Sequence, residues 1–212
     1  NLNLGLNLIY TYKNLQVNNN FTYGYTNAKE SPYGDFSDYA HLQPYDRPYD
    51  KDGNLIEVLE FSKDGTSAIN NPLYEALLNN YQFEKQDEFI EQILAQWFLT
   101  DYLTIKGQLA LTKQMGKTER FIDPYSTGRI AKEASTLFGD LYVDRSDMTK
   151  WDAQVAVYLN KSFGGHNLNV STTFNAMSTT SEYTSSHYRG FPSGEFHAPN
   201  FAAEIYLKPT RT

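Results

Sequence analysis

Residues 1–12 read N-L-N-L-G-L-N-L-I-Y-T-Y, with Leu2, Leu4, Leu6, Leu8, Tyr10 and Tyr12 on one face and Asn1, Asn3, Gly5, Asn7 and Thr11 on the other. A period of two is the signature of a β-strand, whose successive side chains leave opposite faces. Six such segments occur, at 1–12, 15–25, 88–99, 103–115, 150–163 and 167–177. All exceed the usual strand of about 5–6 residues. They fall into pairs joined by a few residues, while long Tyr-, Asp- and Gly-rich stretches separate the pairs. Long strands with short turns at one end and long loops at the other describe a transmembrane β-barrel wall better than a compact soluble sheet.

Hydropathy does not oppose that expectation. No apolar run approaches the roughly 18–20 residues of a membrane-spanning helix, but a barrel strand needs only every second residue to be apolar. The 17 Tyr and 13 Phe, against 3 Met, suit strands and contact surfaces more than helical packing. A formal charge of −7 offers no broad attraction to nucleic acid. With no cysteine there is neither disulfide nor thiolate metal site. The sequence has no opening Met and no signal peptide, and it starts and stops close to strands, so a piece of a larger protein is expected.

The apolar stripes are Leu15, Val17, Phe21, Tyr23 and Tyr25, then Phe89, Ile93, Ala95, Trp97 and Leu99. Leu103, Ile105, Gly107, Leu109 and Leu111 follow, then Trp151, Ala153, Val155, Val157 and Leu159, then Leu168, Val170, Thr172, Phe174 and Ala176. Residues 86–99 also fit an amphipathic helix; their β-branched and aromatic content and the alternating partner at 103 favour a strand. Lys13-Asn14, the surroundings of Asp101, and Gly164-Gly165 supply the tight turns. A seventh strand is expected from near Asn200. Residues 72–80 read as a short helix, with Asn71 as cap and Pro72 in the first turn. The remaining stretches, 26–87, 116–149 and 178–199, are too long for structureless connections without a function. The first is expected to hold a hairpin, since Asp52-Gly53 and Asp64-Gly65 flank residues 55–61.

Several words of the sequence carry a resemblance. Phe36-Ser37-Asp38-Tyr39, Gln43-Pro44-Tyr45-Asp46, Tyr49-Asp50-Lys51-Asp52-Gly53-Asn54, Asn71-Pro72-Leu73-Tyr74-Glu75-Ala76 and Trp151-Asp152 before Asn160-Lys161-Ser162-Phe163-Gly164 stand in order. Together they resemble the SusC/RagA-type TonB-dependent outer-membrane transporters of Bacteroidota. The resemblance implies an all-β fold: about seven antiparallel strands in the wall of a 22-stranded transmembrane barrel with long extracellular loops. Residues 1–212 would be a partial receptor barrel domain, and 26–87 its first long extracellular loop. It implies import of oligosaccharides, or alternatively peptides, in the outer membrane of a Gram-negative bacterium. Its implied partners are a SusD-like surface lipoprotein, outer-membrane lipid, and the TonB complex through N-terminal regions absent from this sequence. A different class, a β-rich carbohydrate-binding module or surface protein, is the alternative.

Side-chain chemistry gives no sign of an enzyme, for neither a nucleophile elbow nor a zinc-hydrolase motif is present. His166 reads as a turn residue. His187 and His197 share a loop with Glu195, short of the three or four convergent groups a metal needs. Asp50-Lys51-Asp52-Gly53-Asn54 starts like a calcium loop, but Phe61 stands where the final Glu belongs. A plain Asp-Gly turn is the simpler reading, calcium held by irregular loop oxygens the alternative, and no other cofactor is expected. The candidates for contact with substrate or partner are Tyr33, Phe36, Tyr39, Tyr45, Asp46, Arg47 and Tyr49. Aromatic faces and polar groups there suit either a ligand or packing of the loop over a rim or partner subunit. Tyr12, Tyr25, Trp97, Tyr102 and Trp151, near strand ends, fit interfacial girdles.

Overall fold

The computed structural model describes residues 1–31, 34, 36–40, 42–61, 68–127 and 137–211. Seven strands form one sheet: β1 (Leu2–Tyr12), β2 (Leu15–Lys29), β5 (Tyr81–Thr100), β6 (Leu103–Ile122), β7 (Asp140–Phe163), β8 (His166–Arg189) and β9 (Glu204–Arg211). Their spatial order follows the chain, and each neighbouring pair is antiparallel. The small strands β3 (Val58–Phe61) and β4 (Ala68–Asn70) pair separately inside the first long connection, where a hairpin was expected. Residues 64 and 65 of its expected turn lie outside the described residues.

The alternation decides the two faces. Across the ladder, Tyr10, Val17, Ala95, Gly107, Val155 and Phe174 form one row, and Leu8, Asn19, Ile93, Leu109, Ala153 and Ala176 the next. The opposite face carries rows such as Thr11, Gln16, Gln96, Lys106, Ala156 and Thr173. A one-residue slip would exchange these faces completely, so the pattern fixes register as well as strand identity. Tight turns do the rest. Lys13 adopts φ 50° and Gly164 φ 56°, the left-handed backbone that two-residue hairpins need.

The expected wall piece, about seven strands of a 22-stranded transmembrane barrel, is corrected to an open sheet among the described residues. The seven strands make one open sheet with β1 and β9 as its edges, and nothing pairs those edges to each other among the described residues. Alternation assigns faces, whereas closure also needs the first and last strands to meet with consistent tilt and stagger. The assignment to transmembrane strands, and the interfacial girdle with it, rested on that barrel wall and falls with it. Tyr12, Trp97, Tyr102 and Trp151 are simply exposed on the sheet. No helix is long and apolar enough to cross a membrane among the described residues.

The strands are also longer than their apolar stripes. β5 and β6 each run 20 residues, and β7 and β8 each run 24. Residues 116–122, 140–149 and 178–189, assigned to loops on sequence, are ladder-paired strand. The long connections leave from one end of the sheet and the tight turns from the other, as antiparallel order requires. At the long-connection end the sheet acquires a second layer. Phe121 and Leu141, each 1% exposed, pack with Phe191, against Tyr81, Val143, Tyr188 and Ala202. Phe121 and Phe191 meet edge to face at 5.3 Å between ring centroids.

Candidate functional site

The polar face of the sheet is the candidate site. Amides recur along it: Asn18, Gln108, Gln154 and Asn175 share one row, and Asn7, Asn20 and Gln92 the next. An amide side chain both donates and accepts, so such rows can satisfy either the N–H or the C=O of a peptide, or a hydroxyl. Some of this capacity is spent internally, as where Asn7 donates to Asn20. Elsewhere the Asn18 Oδ1 and Asp144 Oδ1 atoms are shut off from solvent with no hydrogen-bond partner. Buried acceptors are normally bonded, which makes these two exceptions informative.

Toward the long-connection end the same face holds a depression of about 170 Å³. Its polar-face lining includes Glu84, Gln114, Thr118, Asp144, Ser146 and Tyr183, drawn from four consecutive strands. Gly116 keeps the floor low; a Cβ there would stand 2.5 Å from the Ser146 hydroxyl. Hydrogen bonding to Asp144 holds the Tyr183 phenol above its ordinary range.

Beyond it lies a buried ionic joint. His187 Nε2 is 2.7 Å from Asp140 Oδ1, and Arg189 Nε stands 3.8 Å from the same oxygen. The His187 ring stacks on Tyr142 at 4.1 Å between centroids, and Tyr206 meets it edge-on at 5.1 Å. The Arg189 guanidinium sits 4.5 Å above the Tyr206 ring and reaches Glu204 at 3.8 Å. This arrangement fastens β9 to β7 and β8. The sequence placed His187 and His197 in one loop, whereas His187 ends β8 and His197 packs against Tyr81 and Phe121. No group of three or more His, Cys, Asp or Glu able to hold a metal occurs among the described residues.

The loops at that end are held by carboxylates with saturated oxygens. Glu75 of α2 (Pro72–Glu75) accepts from the Ser126 hydroxyl at 2.9 Å, the Thr127 amide at 2.7 Å, the Asn80 amide nitrogen at 3.0 Å, and the Thr127 hydroxyl. Asp123 accepts from the amides of Asn79 and Tyr125 at 3.1 and 2.9 Å. Asn71 caps α2 as the sequence predicted, accepting from the Leu73 amide at 3.1 Å, although the helix is shorter than residues 72–80. It also donates to the carbonyls of Pro48 and Ile56 at 2.9 and 2.8 Å.

Of the contact candidates, Tyr33 lies outside the described residues. Phe36 opens α1 (Phe36–Ala40) and is 85% exposed; Tyr45 and Tyr49 are exposed too. Tyr39 donates to the Pro72 carbonyl at 3.4 Å, tying α1 to the base of α2. Asp46 is half-buried and accepts from the Gln43 amide at 2.6 Å, and Arg47 is exposed. Phe36, Tyr45 and Tyr49 make no ring contact with one another among the described residues, so they share a loop without forming a single aromatic pocket. Asp50 accepts from the amides of Asp52 and Asn54, both at 2.8 Å, and caps its own turn.

No family model matches the chain, and no curated protein matches it. Solved structures do. The RagAB peptide transporter superposes with a TM-score of 0.74 at 16% identity, covering 98% of this chain and 24% of that one. The RagAB peptide importer in its open-open state gives 0.72 at 15% identity, and in its closed-closed state 0.68 at 14%. Each of these covers 99% of this chain and 24% of the other. The chain thus spans about a quarter of the chains it matches. Membership of the SusC/RagA-type transporters as a barrel-region piece is therefore corrected to a distant likeness of fold, for identity this low carries no family assignment and the described strands form an open sheet. Import of oligosaccharides is corrected as well, since the similar structures are described as a transporter and importer of peptides.

Proposed function

We propose that this chain is one segment of a peptide importer associated with a bacterial outer membrane, and that its polar face contacts the peptide in transit. The observation that carries the reading is the superposition of nearly the whole chain on structures described as a peptide transporter and importer. Amide-rich rows on one face agree with it, because a peptide of any sequence offers the same repeating donors and acceptors. The role is non-enzymatic: the sheet encloses and orients, and the substrate leaves chemically unchanged.

In this reading residues 1–212 act as one unit of the importer. The loop bearing Tyr33, Phe36, Tyr39, Tyr45, Asp46, Arg47 and Tyr49 contributes contacts to substrate or to a lid-like surface lipoprotein of the SusD type. A TonB complex supplies the energy. Calorimetric titration of the full-length protein with a mixed-sequence peptide pool and with a maltooligosaccharide tests the substrate class. Binding of peptides alone is expected; saccharide binding without peptide binding would contradict the proposal.

A further inference from the structure

We infer that the depression at Glu84, Gly116, Asp144 and Tyr183 is a subsite for a basic side chain of the peptide, an inference that rests on the peptide reading above. Glu84, Thr118 and Asp144 form one register row across β5, β6 and β7. Two strand spacings put the carboxylate-bearing positions roughly 9–10 Å apart. An ammonium group seated over Thr118 lies between them.

The charges around this cavity are one-sided. Lys117 lines it through the strand but its ammonium pairs with Glu119 and sits 5.3 Å from the Phe83 ring centroid, both on the opposite face. Lys85 is likewise over Phe83. Arg145, by alternation, belongs to that opposite face as well. The nearest cation on the polar face, Arg120, stands in the next row, between Gln82 and Tyr142. The cavity therefore presents two carboxylates and neutral donors, and one of its acceptors, Asp144 Oδ1, lacks a partner. A buried carboxylate oxygen is an expensive group to leave unbonded, and a cationic donor is the guest that relieves it most. The floor at Gly116 gives the room; the polar lining disfavours an apolar side chain of the same length.

The test uses the full-length protein and two capped Gly-Ser peptides, one with a single central lysine and the other with norleucine in its place. Calorimetry should find the lysine peptide bound about tenfold more tightly, the worth of one charge-assisted hydrogen bond. Asp144→Asn, which keeps shape and removes charge, should bring the two peptides to equal affinity; Glu84→Gln should reduce the preference independently. Equal binding of both peptides to the unaltered protein, or a lysine preference that survives both substitutions, would overturn the subsite alone. Failure of either peptide to bind would overturn the peptide reading and the subsite with it.

Discussion

The middle of the sheet and its long-connection end are built from the same strands and the same alternation, yet they are stabilised in different ways. In the middle, Leu109 and Val155 are each 49% exposed and rely on ladder hydrogen bonds and side-by-side contacts. At the long-connection end, Phe121 continues the face of Leu109 along β6 but is buried under Phe191 and the residues around it. Apolar patterning determines which face must be covered. What covers it is set by the connections, and among the described residues the small core covers one end of the sheet.

That contrast breaks most visibly in the small core. Phe121→Ala should cost about 3–5 kcal/mol, because it leaves a cavity there. Leu109→Ala on the same face should stay within about 0.5 kcal/mol. Denaturant unfolding of the full-length protein measures both, and equal losses would erase the distinction between the regions. Next comes Glu75→Ala, which removes the acceptor of the Thr127 amide; about 1–3 kcal/mol is expected. It should appear as faster hydrogen exchange at Thr127, with Gln108 in mid-sheet unaffected.

Two glycines sharpen the comparison further. Gly139 has φ 86°, and a Cβ would lie 2.9 Å from Pro124 Cγ and 3.2 Å from Phe191 Cβ. Gly139→Ala should cost about 1–2 kcal/mol from the left-handed backbone, before any clash. Gly107→Ala faces open space and should be neutral or slightly stabilising, by up to about 1 kcal/mol. Thermal unfolding of the two variants separates them, and similar melting temperatures would contradict the packing at Gly139.

The smallest effect is in the exposed Asp50 turn. The backbone and side chain of Asn54, with the amides of Asp52 and Gly53, hold the Asp50 carboxyl below its ordinary range against a weaker opposing effect of burial. A depressed folded value means the turn is fully favoured above the unfolded value of about 3.9 and loses that support as pH falls through the lower folded value. Amide shifts of Asp52 and Asn54 should therefore inflect below about pH 3.9. An inflection at or above it would show the carboxylate uncoupled from the turn.

Strand pairing was legible wherever apolar residues alternated on both sides of a short turn, as around Lys13-Asn14. Strand length was not. In Lys117-Thr118-Glu119-Arg120 and Ser178-Thr179-Thr180-Ser181-Glu182 both faces are polar, so the period of two has no hydrophobic contrast to reveal it. The backbone stays in the ladder because its neighbours do. The joint between Asp140 and His187 was hidden for the same reason, since it depends on register carried through those polar stretches. The barrel wall was misread because alternation reports faces and says nothing about how edges end. Asn71, by contrast, announced its cap through the adjacent Pro72.

If the chain works as proposed, the polar face and not the apolar one meets the peptide. Gln108 and Leu109 are adjacent in β6 and point to opposite faces. Placing the photoreactive residue p-benzoylphenylalanine at each position of the full-length protein, and irradiating with a labelled peptide, compares the faces at a single height of the sheet. Peptide crosslinks are expected from position 108 and none from 109. Crosslinks from 109 with none from 108 would contradict a peptide path along the polar face.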